Sequence, residues 1–235
     1  MNDISEFLDL YRQLEEALKA AYPAKADRHF ALVYDFMHGD GKKYFDDLDL
    51  CRELRNVLTH HSSLRGTDAV HPSDELLDFL RRVIEEVKNP ITAKQIGTPL
   101  ERLLTAAPED RILWLADKMA SLGFSHVPII KSGVLMWVFS VSAAFSVLAK
   151  APTLPEINAK IADILDLLAP KKHVFEKYLF ARPDTPLSKI KKDFRSLGPG
   201  KRRVAAVFVT KVGTQDSKLL SMITPWDVIK ATEEQ

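Results

Sequence analysis

The sequence predicts an α+β chain of two domains: an all-α helical bundle over residues 1–90, then two β-α-β-β-α repeats over residues 91–152 and 153–235. Three observations predict it. Apolar residues recur at helical spacing through the first 90 residues, without the alternation of a strand. One strand–turn–strand–helix pattern occurs twice in the remainder, about 84 positions apart. Charge divides at the same boundary, with 12 Lys/Arg against 18 Asp/Glu in residues 1–90 (−6) and 21 against 14 in residues 91–235 (+7).

The bundle is read as four helices. The first spans about 3–21, with Ile4, Phe7, Leu8, Tyr11, Leu14, Ala17, Leu18 and Ala21 recurring at helical spacing and Pro23 beyond it. A second covers 26–37 and ends at His38-Gly39-Asp40-Gly41. A third runs from about 43 to 61 through Phe45, Leu48, Leu50, Cys51, Leu54 and Leu58. The fourth follows Pro72, with Ser73 as N-cap, Asp74 and Glu75 in the first turn, and Asn89-Pro90 as its end. This is an up-down bundle without strands.

The later copy of the repeated pattern runs Val204–Thr210, a short gap, then Lys218–Ile229. The earlier runs His126–Ile130, Lys131-Ser132-Gly133, then Val134–Ala143. Aligned on the second strand, Ser140 falls on Thr224 and Ala143 on Asp227. A helix N-terminus offers unpaired N–H groups and partial positive charge, which suit phosphate. Thr224 is a good N-cap, Pro225 suits the first helical position, and the Asp227 carboxylate can accept two bonds from a ribose diol. The same residues also make an ordinary capped helix. Asp184-Thr185 reads as a further cap, before Leu187, Ile190 and Phe194.

The two units, over roughly residues 90–232, resemble the tandem CBS domains of a Bateman module. That resemblance implies two clefts for adenosine-containing ligands such as AMP, ADP or ATP, with Thr/Ser-x-x-Asp at the second-strand exit holding ribose and phosphate. Thr224 and Asp227 match that element. Ser140 matches, but Ala143 replaces the Asp, so one site on the second repeat is expected. Trp137 and Ser221 stand where the family often carries a small residue. In the family, basic residues near the strand before often reach ligand phosphates, which implies Arg203 as a contact, with Ala205 on the same strand; Trp226, beside the junction, is placed to line the nucleotide cleft or a module–module interface. Arg202 and Lys201 form the rest of a basic turn there.

In the third helix, Leu54-Arg55-Asn56-Val57-Leu58-Thr59-His60-His61 resembles the Arg-x(4–6)-His motif of HEPN domains, helical bundles that are often dimeric and in many cases metal-independent RNases. Asn56 and His60 are i,i+4 and share a helix face, so Asn56 can orient the imidazole. Attack by a 2′-OH needs a base, an acid and a cation near the phosphorane; His60 and Arg55 supply two of these, and a homodimer would add a second His60. An Arg and a His five apart also suit a helix C-terminus with no catalytic role. The expected function is therefore a nucleotide-binding regulatory protein, with RNA as a further partner and endoribonuclease activity one output. The other expectation is a non-enzymatic nucleotide-binding and dimerisation protein whose helical domain recruits a partner.

Composition excludes several classes. The single Cys51 rules out a disulfide within the chain and any Cys-rich zinc site. Adjacent His60 and His61 diverge on a helix and, with His71, lack a carboxylate at matching spacing, so no metal is expected. The start, Met1–Glu6, is polar and acidic, unlike a signal peptide, and the apolar stretch at 134–149 is broken by Ser140, Ser142 and Ser146. A cytoplasmic location without a membrane partner is expected.

Overall fold

The computed structural model describes residues 3–23, 31–60, 63–64, 67–68, 70–150, 159–170, 173, 175–197 and 202–233. It divides into two compact units, Met1–Pro90 and Ile91–Gln235.

In the first unit, α1 (Asp3–Ala21), α2 (Leu32–Met37), α3 (Phe45–His60) and α4 (Asp74–Lys88) enclose one core. It is built from Phe7, Leu14 and Leu18 of α1, Met37 of α2, Leu48 and Cys51 of α3, and Leu80 and Val83 of α4. Arg81 on α4 pairs with Glu6 on α1 as well as with Asp78 of its own helix. Ser73 caps α4, its Oγ accepting from Leu76 N at 3.4 Å. Two features depart from the sequence reading. A short 3-10 turn, Lys42–Tyr44, leads into α3, and a two-residue ladder joins β1 (Ser63–Leu64) to β2 (Thr67–Asp68) where no strand was expected. Strands that short leave no alternation to read. Residues 26–30, which open the expected second helix, lie outside the described residues.

The second unit holds α5 (Ala93–Ile96), β3 (Thr98–Pro99), α6 (Ile112–Leu122), β4 (His126–Lys131), β5 (Val134–Ser140), α7 (Val141–Lys150), α8 (Leu165–Leu168), β6 (Glu176–Ala181), α9 (Leu187–Arg195), β7 (Arg203–Thr210), β8 (Leu219–Ile223) and α10 (Pro225–Glu233). One sheet has the order β3-β8-β7-β6, with β6 parallel to β7 and β8 antiparallel to it. The other is the hairpin β4-β5, whose Ser132 (φ 53°) and Gly133 (φ 78°) both have the positive φ that a tight hairpin turn requires. The later repeat thus reads β6-α9-β7-β8-α10. In the earlier one the first strand is reduced to a single parallel bridge, Ala106 to Ile129.

The repeats exchange their opening segments. Ala93 N donates to Thr185 O, Lys94 N to Pro183 O, and Leu187 N returns to Ile91 O. The mirror set is complete: Ile161 N donates to Asp110 O, Ala162 N to Pro108 O, and Ile112 N to Ala159 O. Each opening therefore pairs with the loop before the first helix of the other repeat. β3 goes further and becomes the edge strand of the later repeat's sheet, Thr98 opposite Met222 and Pro99 opposite Ser221.

The apolar pattern sets which face goes where. On β7, Val207 and Val209 join Ile190 and Ile223 in a core beneath the helices, while Ala206 and Phe208 point the other way. There they meet Leu135 and Val138 of the other repeat, with Tyr178, Leu219 and Met222. A strand covered on both faces reads as a continuous apolar run, as Val204–Val209 does. The earlier repeat has its own core around Leu115, Val127, Ile129, Phe139 and Ile161, with Trp137 packed against it.

Candidate functional site

β8 ends at Ile223 and α10 begins at Pro225, so Thr224 stands at the N-cap. Its backbone N–H and its hydroxyl both donate to Asp227 Oδ2, each at 2.7 Å. This is the reciprocal half of a capping box, an acidic residue in the first turn reaching back to the cap. Two chemical consequences follow. Both bonds fall on Oδ2, and a carboxylate has about four acceptor positions, so a diol at Oδ1 is compatible with the cap. The Thr224 hydroxyl hydrogen is committed to Asp227, so Oγ1 faces a ligand as an acceptor. Binding phosphate through that hydroxyl would require it to swing off Asp227.

The surroundings of this junction come from three elements. The β7–β8 ladder ends with Val207 opposite Ile223, the residue just before Thr224, and the earlier part of β7, with Ala205, runs on beyond the end of β8. Arg203 at that end is exposed, and its backbone N–H donates to Phe175 O at 3.4 Å. Trp226 is 78% exposed. On the other side, α5 and β3 cover β8 closely enough that a Cβ built on Gly97 would lie 2.4 Å from Ser221 Oγ. The expected cap at Asp184-Thr185 is different in form. Asp184 instead takes a two-pronged bond from Arg182, at 3.0 and 3.1 Å, and Pro186 occupies the N-cap of α9.

At the equivalent junction of the earlier repeat, Ser140 is fully buried and its Oγ accepts from Ala143 N at 3.1 Å. Ala143 is buried in the core of that repeat, where Asp227 is part-exposed in the later one. The polar partner of Ser140 comes from elsewhere: Glu176, at the start of β6. Burial pushes the Glu176 carboxyl up, but the nearby His126 and His173 rings, at 3.3 and 3.5 Å, and the Tyr178 and Ser140 hydroxyls outweigh it and hold the group well below the usual carboxylate range. Tyr178 donates to Glu176 Oε2 at 2.8 Å; burial first, then the Glu176 charge, pushes the phenol far up. The sequence reading missed this cluster. Its one signal was Glu176 and Tyr178 sharing a strand face at the head of a strand that is apolar from Leu179 on.

Among the solved structures similar to this chain are CBS-domain proteins. Protein MJ1225 from Methanocaldococcus jannaschii has 18% identity and a TM-score of 0.44 over 66% of this chain and 52% of its own, so the chain spans about half its length. CBSX2, solved in complex with AMP, has 18% identity and a TM-score of 0.43 over 61% of this chain and 96% of its own. The CBS-domain pair of protein MJ0100, in complex with 5′-methylthioadenosine and S-adenosyl-L-methionine, has 16% identity and a TM-score of 0.41 over 62% and 98%. No protein-family model matches the chain, and no curated protein does.

The motif of the helical unit sits on the outer side of α3. Leu54 and Leu58 turn into the core; Arg55 is half-buried and Asn56 exposed. Arg55 Nη1 donates to Asn56 Oδ1 at 3.2 Å, and Thr59 Oγ1 bonds back to Arg55 O at 2.8 Å. The His60 side chain, and all of His61, lie outside the described residues. Among the described residues no group of three His, Cys, Asp or Glu could hold a metal ion, and no helix is long and apolar enough to cross a membrane.

Proposed function

We propose that this chain is an adenosine-nucleotide sensor, a tandem CBS pair that regulates a fused HEPN-like bundle. AMP, ADP or ATP binds at the second-repeat junction. Asp227 accepts the ribose diol through Oδ1, Arg203 meets phosphate, Ala205 leaves room for the ligand to approach β7, and Trp226 offers an aromatic face. The observation that carries this reading is the Asp227 carboxylate, held at the head of α10 by two bonds from Thr224. For the sensor to regulate, the ligand must bind one packing of the module more tightly than another.

The test is thermal unfolding with AMP, ADP, ATP, NAD and S-adenosylmethionine, on the wild type and on Asp227→Ala. A ligand at 100 times its Kd stabilises by about 2.7 kcal/mol. A shift in the wild type that disappears in Asp227→Ala supports the site. No shift with any of these ligands sinks it.

The regulated output in this proposal is metal-independent RNA cleavage in a homodimer. His60 takes the proton of the 2′-OH as its oxygen attacks phosphorus, the second His60 of the homodimer gives a proton to the departing 5′ oxygen as its P–O bond breaks, Asn56 orients the ring and Arg55 balances charge on the phosphorane. Activity in EDTA that is lost in both Arg55→Ala and His60→Ala is the expected result. A second reading, a non-enzymatic nucleotide-binding and dimerisation protein, is favoured by one observation: the Asn56 carbonyl oxygen is taken by Arg55 of the same helix. Under that reading both variants leave RNA intact, as does the wild type.

A further inference from the structure

The two repeats put matching residues to different use. In the mirrored bonds between their openings, Thr185 stands for Asp110 and Leu187 for Ile112, each pair 75 positions apart. Ala181, paired with Val209, stands in the same way for Ala106, bridged to Ile129. The same offset matches Glu176 to Glu101 and Tyr178 to Leu103. Glu101 lies in a 3-10 turn, Leu100–Arg102, and is exposed. Glu176 instead opens the full strand β6, and its side chain is 18% exposed.

That strand carries Glu176 to the junction of the earlier repeat. His126 stands opposite Ser140 in the β4–β5 ladder, so both flank the start of α7. Glu176 Oε1 is 3.3 Å from His126 Nε2, which is buried and has no hydrogen-bond partner among the described residues. The Ser140 hydroxyl meets the same carboxylate, and the Tyr178 ring packs edge to face with His126, 6.0 Å between centres. The carboxylate thus reaches the head of a ten-residue helix, where backbone N–H groups and partial positive charge favour an anion. The earlier repeat supplies none of its own there, because Ala143 stands where the later repeat has Asp227.

We propose that Glu176 is a built-in ligand of the earlier repeat: a carboxylate from the later repeat fills the anion place at the head of α7 and closes that junction. The later junction, whose matching Glu101 is exposed, stays open at Thr224 and Asp227, so the chain takes one nucleotide. Only this last consequence rests on the nucleotide reading above.

The test is chemical rescue in the whole chain. Glu176→Ala leaves His126, Ser140 and the head of α7 without their anion, and formate is small enough to take its place. Wild type, Glu176→Ala and Glu101→Ala are unfolded thermally at neutral pH in sodium formate and in sodium chloride of equal ionic strength. At roughly ten times its Kd, formate should raise the Tm of Glu176→Ala by about 3–6 °C over chloride and leave the other two unchanged. No rise in Glu176→Ala, or an equal rise in wild type or Glu101→Ala, overturns the proposal. Should Glu176→Ala not fold, Glu176→Gln keeps the volume and gives a second reading. Ala143→Asp sets a new carboxylate to compete with Glu176 for the Ser140 hydroxyl, so it should lower Tm more in wild type than in Glu176→Gln; equal losses overturn the proposal. Neither experiment uses a nucleotide, so both are decided apart from the ligand panel above.

Discussion

Gly97→Ala isolates one close approach. Gly97 has φ −72° and ψ 136°, a conformation any residue adopts, so alanine brings no backbone strain. Its Cβ, however, would lie 2.4 Å from Ser221 Oγ, 3.0 Å from Ser221 Cβ and 3.1 Å from Ala93 O. Ser221 is 5% exposed and sits in the middle of β8, so it has little room to retreat. Overpacking of this kind costs about 1–3 kcal/mol, while the lost freedom of the unfolded chain returns about 0.4–1 kcal/mol. The net destabilisation is about 1–2 kcal/mol, or roughly 2–8 °C in Tm at about 2–4 °C per kcal/mol for a unit of this size. The assay is a double-mutant cycle in thermal unfolding with Ser221→Gly. That change alone should cost about 0.5–1 kcal/mol as a glycine in a strand. In its presence Gly97→Ala should become neutral or stabilising. Equal cost of Gly97→Ala in both backgrounds, or a Gly97→Ala as stable as wild type, would refute the reasoning.

Three further outcomes are expected. Asp227→Ala, without ligand, should lower stability by about 1 kcal/mol through loss of the cap alone, read as a small drop in Tm. Because the folded Glu176 carboxyl lies below its ordinary range, its contribution is complete above the unfolded value of about 4.3 and is lost as pH falls through the folded one. The Tm advantage of wild type over Glu176→Gln should therefore shrink on acidification from about pH 6 to pH 3. Burial first, with Asp47 adding to it, pushes the Cys51 thiol up to about 12, so a thiol reagent at about pH 8 should label Cys51 only after denaturation.

The parts of the fold that were legible in the sequence are those with local causes. Helices α1 and α4 carry long, strongly periodic apolar faces, and Ser73 announces its helix by cap chemistry. The alignment of Ser140 with Thr224 is matched by equivalent ladders, Val127 opposite Phe139 and Val207 opposite Ile223. Features made by distant segments were not legible. The fit of Gly97 to Ser221 joins residues far apart in the chain, as does the meeting of His126 with Glu176, and single-residue chemistry does not specify partners across such gaps. Asp184 was misread because two local partners compete for it. A helix N-terminus attracts a carboxylate, but the Arg182 guanidinium offers a two-pronged bond of greater strength.

The exchanged openings also fix an order of assembly during synthesis. Thr98 leaves the ribosome long before Met222, its partner in the sheet; at about 5–20 residues per second the wait is roughly 6–25 s. The loop before α6 likewise waits for Ala159 and Ile161. Neither repeat can close on itself as it emerges. The earlier one is completed by the start of the later, and the later by a strand from the start of the earlier. A chain cut between them would yield two pieces that each lack a segment held by the other, so the pair is the smallest part of this protein that can mature as a unit.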